Sequence, residues 1–183
     1  EDTAFADAAV KTGNRLTIAY GIGANSEKRV WPLRNFLELT RRLQKELEVS
    51  IVVLGGQKEH APGNALAGEL GDAVINLAGK TSLRQAAAVL KKCWIYVGND
   101  SGLMHMAAAV GISVVEISCH PADGSTGHYN APSRFGPWGV TKRILQPVSA
   151  IAPCVDACVA EQAHCIEKVS VDAVQKALKD LLR

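Results

Sequence analysis

No apolar run in this sequence approaches the ~20 residues that a membrane-spanning helix needs, and no secretory leader opens it. The expectation is therefore a cytoplasmic protein without a transmembrane segment. Charge of one sign is not in excess either: 20 Lys+Arg against 18 Asp+Glu leave a net charge of +2, which singles out no partner and points to no nucleic acid. Five cysteines, an odd number, fit a reducing compartment better than a disulfide scaffold. There is no initiator Met at Glu1, and the chain reads as a piece excised from a longer protein. A complete G-x-G-x-x-G is missing as well. Gly21-Ile22-Gly23-Ala24-Asn25 begins like one, but Ser26 stands where the last glycine belongs. Nor does an acidic residue end the second strand, where Gly55-Gly56 stands. Both absences count against a nicotinamide dinucleotide.

What remains is the composition of an ordinary globular domain, 183 residues with 48% hydrophobic. Its most informative stretch is WIYVGNDSGLMHMAAAVG, residues 94–111. WIYV reads as a buried strand, Gly98–Gly102 as a tight polar turn, and LMHMAAAV as a helix that Gly111 stops. Such a succession brings the backbone N–H groups of Ser101, Gly102 and Leu103 to a helix N-terminus. Unpaired donors and the positive end of the macrodipole attract anions there. Asp100 or Ser101 can cap the helix, and an ordinary capped turn would use the same residues.

The other turns follow the same rhythm. Arg15–Tyr20 is a strand, its turn runs through Asn25 and Ser26, and Lys28 and Arg29 precede a helix that Pro32 opens and that runs to about Glu48. Two cations beside a helix start suit a pyrophosphate, and equally a solvated loop. Val49–Leu54 is an apolar strand leading to the turn with Gln57 and Glu59, and a helix covers about Ala61–Leu70. Val74–Leu77 is a short strand, then come Gly79, Lys80 and Thr81, with Ser82 as N-cap of LRQAAAVLKKC. Ser113–Ile117 is another apolar strand, Lys142–Leu145 a last short one, and Ser170 caps a final helix. Strands apolar on both faces, alternating with helices, define an α/β fold: a doubly wound parallel sheet, Rossmann-like. Ligands of such sheets bind beyond the carboxyl ends of the strands, so the turns at 21–29, 55–59, 79–82, 98–102 and 118–126 are expected on one rim.

Two segments stand apart. The Gly/Pro/Ser-rich loop over 119–140 carries His120, Asp123, Ser125, Thr126 and His128, which suit a sugar or a phosphate, or only solvent. Cys154, Cys158 and Cys165, with His164 adjacent, have metal-ligand chemistry, and Cys119 is a potential fourth thiol. Their spacing is not a tidy C-x-x-C, and free or disulfide-paired thiols are the expectation, with no metal.

Gly98-Asn-Asp-Ser-Gly-Leu-Met-His-Met-Ala-Ala-Ala-Val-Gly resembles the D-[ST]-G-x-x-H-x-A-A-x-x-G signature of the family-9 glycosyltransferases, the ADP-heptose:lipopolysaccharide heptosyltransferases and their relatives. Gly23-Ala-Asn-Ser with Arg29-Val-Trp-Pro, Val53-Leu-Gly-Gly and Arg134-Phe-Gly-Pro-Trp-Gly agree in order, so the resemblance covers about residues 15–140. It implies the C-terminal, donor-binding half of a GT-B enzyme. On that reading residues 1–13 are a linker or edge helix and 14–150 the nucleotide-sugar-binding domain. Residues 151–183 are a Cys-containing segment and a C-terminal helix packed on the same domain.

The resemblance also implies roles. Asp100, Ser101, Gly102, Leu103 and His105 would line the donor site. Asn25 and Ser26 would also bind the donor nucleotide, Lys28 or Arg29 would neutralise phosphate, and Gln57, Glu59, Gly79, Lys80, Thr81 and Leu83 would hold ribose and adenine. The donor would be an ADP-heptose-like sugar, the acceptor a lipid-linked saccharide, the outcome inversion, and no cofactor would be required. The general base belongs to an N-terminal domain that this chain lacks, so no catalytic residue is expected here and little turnover. The work would be done at the cytoplasmic face of the inner membrane. The loop opening Ser118-Cys119-His120-Pro121 departs from the family's Gly-Pro-Thr-[DE]-Pro-like stretch, as does Arg29 two residues before Trp31 where Lys is usual. A non-catalytic nucleotide-binding module and an NAD(P)-dependent oxidoreductase domain are the rival readings.

Overall fold

The computed structural model describes residues 1–11 and 13–182. Thr12, in the leading segment, and Arg183, in the expected final helix, lie outside the described residues. Six strands form one sheet: β1 Leu16–Gly21, β2 Val49–Leu54, β3 Val74–Asn76, β4 Ile95–Asn99, β5 Ser113–Ile117 and β6 Lys142–Leu145. Their order is β3-β2-β1-β4-β5-β6 and every pairing is parallel. This is the doubly wound, Rossmann-like arrangement expected from the alternation of strands and helices.

Seven helices connect or flank the strands among the described residues: α1 Asp2–Ala9, α2 Leu33–Gln44, α3 His60–Leu70, α4 Leu83–Leu90, α5 Gly102–Ala109, α6 Pro132–Phe135 and α7 Val171–Leu181. Alternation along each strand divides the core in two. Ile18, Tyr20, Ile51, Val53, Ile95, Val97, Val115 and Ile117 face one layer, where Phe36, Leu39 and Leu43 of α2 and Val174 and Leu178 of α7 pack. Ala19, Val52, Leu54, Tyr96 and Val114 face the other, against Ala6 of α1, Val89 and Leu90 of α4 and Met104 and Ala107 of α5. Apolar surface on both faces is why these strands lack polar alternation in the sequence.

Caps fix the helix starts. The Ser82 hydroxyl accepts from the Gln85 N–H at 3.2 Å while Gln85 Oε1 accepts from the Ser82 N–H, a reciprocal capping box. Ser170 accepts from the Ala173 N–H in the same way. Helix α2 ends at Gln44, short of the expected Glu48. The chain turns there because Leu16 N–H donates to Glu48 O and Val49 already pairs with Leu16 in β2.

Candidate nucleotide site

The ends of β1 and β4 lie closer together than side chains would allow. A Cβ on Gly21 would collide with the Tyr96 hydroxyl, and one on Gly98 with the Gly21 carbonyl oxygen. Glycine at both positions lets the Tyr96 ring, fully buried, reach across the strand ends. Its hydroxyl stops 3.4 Å from Ser101 Oγ, the N-cap residue of α5.

Asn99, also fully buried, fastens the first loop to this point. Its Oδ1 accepts from the Trp31 N–H at 2.9 Å and its Nδ2 donates to the Gly23 carbonyl at 3.4 Å. Arg29 closes the same junction: Nη2 donates to the Asp100 carbonyl at 2.8 Å and pairs with Asp100 Oδ2 at 2.5 Å. The guanidinium is thereby committed to a carboxylate that is only 7% exposed. Lys28 makes no hydrogen bond or ion pair among the described residues, so of the two adjacent cations it is the one left unmatched.

Ser101 is extended (φ −156°, ψ 169°) and its side chain does not cap α5. The first N–H groups of the helix therefore stay open, as the sequence suggested for residues 101–103. They border a crevice of about 500 Å³ lined by residues 23–25, 55–59 and 101–103. A second hollow of about 490 Å³ continues from it past Ser26 to Trp31 and Glu161. Both lie over β1, where the winding direction of the sheet reverses between β1 and β4, the place where open α/β sheets take their ligands.

The structure gathers some expected residues and leaves others out. Asn25, Gln57, Glu59, Ser101, Gly102 and Leu103 line the main crevice, with Ser26 in its extension. Asp100 sits behind the wall, holding Arg29. Gly79, Lys80, Thr81 and Leu83 line neither hollow. The Lys80 ammonium donates to the Asn76 carbonyl at 3.1 Å, and Leu83 is an exposed side chain at the start of α4. His105 is exposed on α5, outside the lining, and the turn at 118–126 stays outside as well. His120, expected as a polar contact, is instead buried, with its ring stacked on His128 at 5.3 Å between centroids.

Lys58 and Glu116 were not anticipated, and Glu59, expected at the ribose and adenine, takes a position that the reading of the strand end missed. Lys58 lines both hollows, is exposed, and has no ion-pair partner among the described residues. Glu59 brings a carboxylate to the end of β2, against the reading that none is there. Its side chain lies against Gly23 and Gly55, with Oε2 accepting from the Gly56 N–H at 2.8 Å. Glu116 on β5 is fully buried with neither oxygen hydrogen-bonded. Burial, reinforced by the Asp100 charge and opposed by Lys142 and Arg29, pushes its carboxyl up to about 8.

A Rossmann-like domain with open helix N-terminal amides at the switch point of its sheet is the class that this geometry defines. The profile of glycosyltransferase family 9 (heptosyltransferase) matches residues 1–163, and the chain belongs to that family. Lipopolysaccharide heptosyltransferase 2 of Salmonella typhimurium is 37% identical over 91 residues, 48% of this chain and 26% of that protein. Lipooligosaccharide heptosyltransferase 2 of Haemophilus influenzae is 34% identical over 110 residues, 57% of this chain and 32% of that protein. The structure of E. coli ADP-heptose lps heptosyltransferase II matches with a TM-score of 0.77 at 25% identity, covering 99% of this chain and 51% of that one. The chain thus spans about half the length of that solved relative, and the matched stretches take in 26% and 32% of the two curated ones. The matched region of the family profile also begins earlier and ends later than the motif-bearing stretch at 15–140.

Proposed function

We propose that this chain is the donor-binding half of a glycosyltransferase that moves a heptose or related sugar from an ADP-sugar to a lipopolysaccharide-type acceptor, with inversion. One observation carries the reading: the open N–H groups at 101–103 and the unpaired Lys58 border the same crevice at the switch point of the sheet. The diphosphate lies against that helix end, with Lys58 at the crevice and Lys28, which lines neither hollow, in the adjoining loop as its mobile cations. Gln57 and Glu59 sit where the ribose and base would lie, Glu59 with one carboxylate oxygen still free to accept a hydroxyl.

The chemistry follows from the division of labour. As the sugar–oxygen bond breaks, negative charge grows on the departing ADP. Preorganised amide donors are commonly worth ~3–4 kcal/mol each at such a point. No cofactor is then required, because the helix end and the lysines do the electrophilic work. The acceptor hydroxyl is activated by a carboxylate from a facing N-terminal domain, so this chain alone binds nucleotide and turns over little. The acceptor is lipid-linked, which sets the work at the cytoplasmic face of the inner membrane. Among the described residues no helix is long and apolar enough to cross a membrane.

Glu59 gives a specific reason to weigh a second reading, since a carboxylate at the end of β2 also suits the ribose of a nicotinamide dinucleotide. Calorimetric titration with ADP, UDP and NAD separates the two. ADP binding at least about tenfold (~1.4 kcal/mol) tighter than UDP or NAD is the expected result. NAD binding as tightly as ADP, or no ADP binding at all, refutes the proposal.

A further inference from the structure

Between Leu145 and Cys165 the described chain forms neither helix nor strand, yet this stretch is packed into the core beside α2 and α7. Cys154, Cys158 and Cys165 are buried there with Ile166 and Val169. Cys154, Cys158, His164 and Cys165 each turn one ligand atom toward a common centre, and these atoms all lie within 4.8 Å of one another. His164 Nδ1 is 3.6 Å from Cys154 Sγ and 3.4 Å from Cys165 Sγ. A tetrahedral ion with bonds of about 2.3 Å to sulfur and about 2.0–2.1 Å to nitrogen holds its ligand atoms roughly 3.5–3.8 Å apart. Of the two measured edges, 3.6 Å falls at that spacing and 3.4 Å just below it. Cys119 does not join the group, and His164 completes it instead.

The surroundings are those of a thiolate site. The Val159 N–H points at Cys154 Sγ at 3.3 Å and the Ile151 N–H at Cys165 Sγ at 3.5 Å. Amide donors of this kind favour bound thiolates and fix their direction. A single disulfide would join two of these sulfurs and leave the third thiol and the imidazole crowded against it without use.

We propose that Cys154, Cys158, His164 and Cys165 bind one thiolate-preferring divalent transition-metal ion, zinc or ferrous iron, in a closed tetrahedral site. Four protein ligands leave no position for substrate, so the ion is a clamp rather than a Lewis acid for the reaction. Its reach is clear from its neighbours. Val169, just beyond Cys165, accepts the indole N–H of Trp31 at 2.8 Å, and Trp31 is the residue that Asn99 ties to the crevice. Asp156, between the first two cysteines, accepts the Ser125 N–H at 3.3 Å and so holds the 119–131 loop. The ion therefore fastens both loops from behind without entering the nucleotide crevice, and the inference does not depend on which nucleotide binds.

The test uses the whole chain purified under thiol reductant. Elemental analysis should give about one equivalent of zinc or iron per chain. After chelation and reloading with Co²⁺, intense tetrahedral d–d bands and a sulfur-to-cobalt charge-transfer band should appear. Cys158→Ser and His164→Ala should lose the metal and weaken the bands, while Cys93→Ser, on the other face of the sheet, should keep both. The cobalt titration of the unmutated chain keeps the test decisive if a variant fails to fold. A chain with five titratable thiols and no cobalt bands overturns the proposal. So does a disulfide among the three cysteines, or metal retained undiminished by Cys158→Ser.

Discussion

Replacing Glu116 by Gln should change how stability depends on pH. In the native fold this carboxyl is fully buried with no hydrogen-bond partner, and its pKa is raised from an ordinary 4.5 to about 8. The folded state therefore holds the proton more tightly than the unfolded chain. The stability contributed by protonated Glu116 is fully present below pH 4.5 and is lost as pH rises toward 8. Each pH unit in that window removes about 1.4 kcal/mol, or about 4 kcal/mol between pH 5 and pH 8. Gln has the same shape and no charge to gain, so Glu116→Gln should match the parent near pH 5 and exceed it increasingly toward pH 8. Urea unfolding of both proteins at a series of pH values, compared as differences, cancels every other titrating group. A difference that stays constant from pH 5 to pH 8 would refute the reasoning, because it would place an ionised, solvated carboxylate where the fold has none.

Asn99→Ala should destabilise the fold by about 1–3 kcal/mol, since it strands the Trp31 N–H in a site where both residues are fully buried; the urea midpoint reads this directly. Lys58→Ala should weaken ADP binding by about tenfold, the scale of one charge-assisted hydrogen bond. The same variant should leave the urea midpoint unchanged, because Lys58 is exposed and unpaired among the described residues.

The architecture was legible because its signals are local. Val49–Leu54 and Ser113–Ile117 read as strands from their β-branched and apolar residues, despite Ser50 in the one and Glu116 in the other, and both occur with those bounds. Ser82 and Ser170 announced their helices by hydroxyls placed for capping. The face of α7 followed from period 3.6, with Val174 and Leu178 fully buried as its spacing requires. The open start of α5 and its crevice were likewise readable from the turn at 98–102.

What escaped the sequence depends on contacts between distant segments. Nothing near Arg29 signals that Asp100 will neutralise it, so the choice between Lys28 and Arg29 stayed open. Glu59 lies beyond Gly55-Gly56 in sequence, yet a short helical turn folds its carboxylate back to the strand end. The turn at 79–83 looked equivalent to its neighbours, but β3 lies at the sheet edge and its turn stops short of the crevice. Glu116 was passed over in a strand read as apolar throughout, and only the packed fold reveals it as buried and unpartnered.

Backbone amide shifts during an ADP titration of the labelled chain test the central claim most directly. Ser101, Gly102 and Leu103 should move most, together with Asn25 and residues 55–59. Another hollow, of about 410 Å³, lies at the opposite ends of the strands among Arg15, Glu48 and Asp72. Shifts concentrated there, with the 101–103 amides unmoved at saturation, would contradict it.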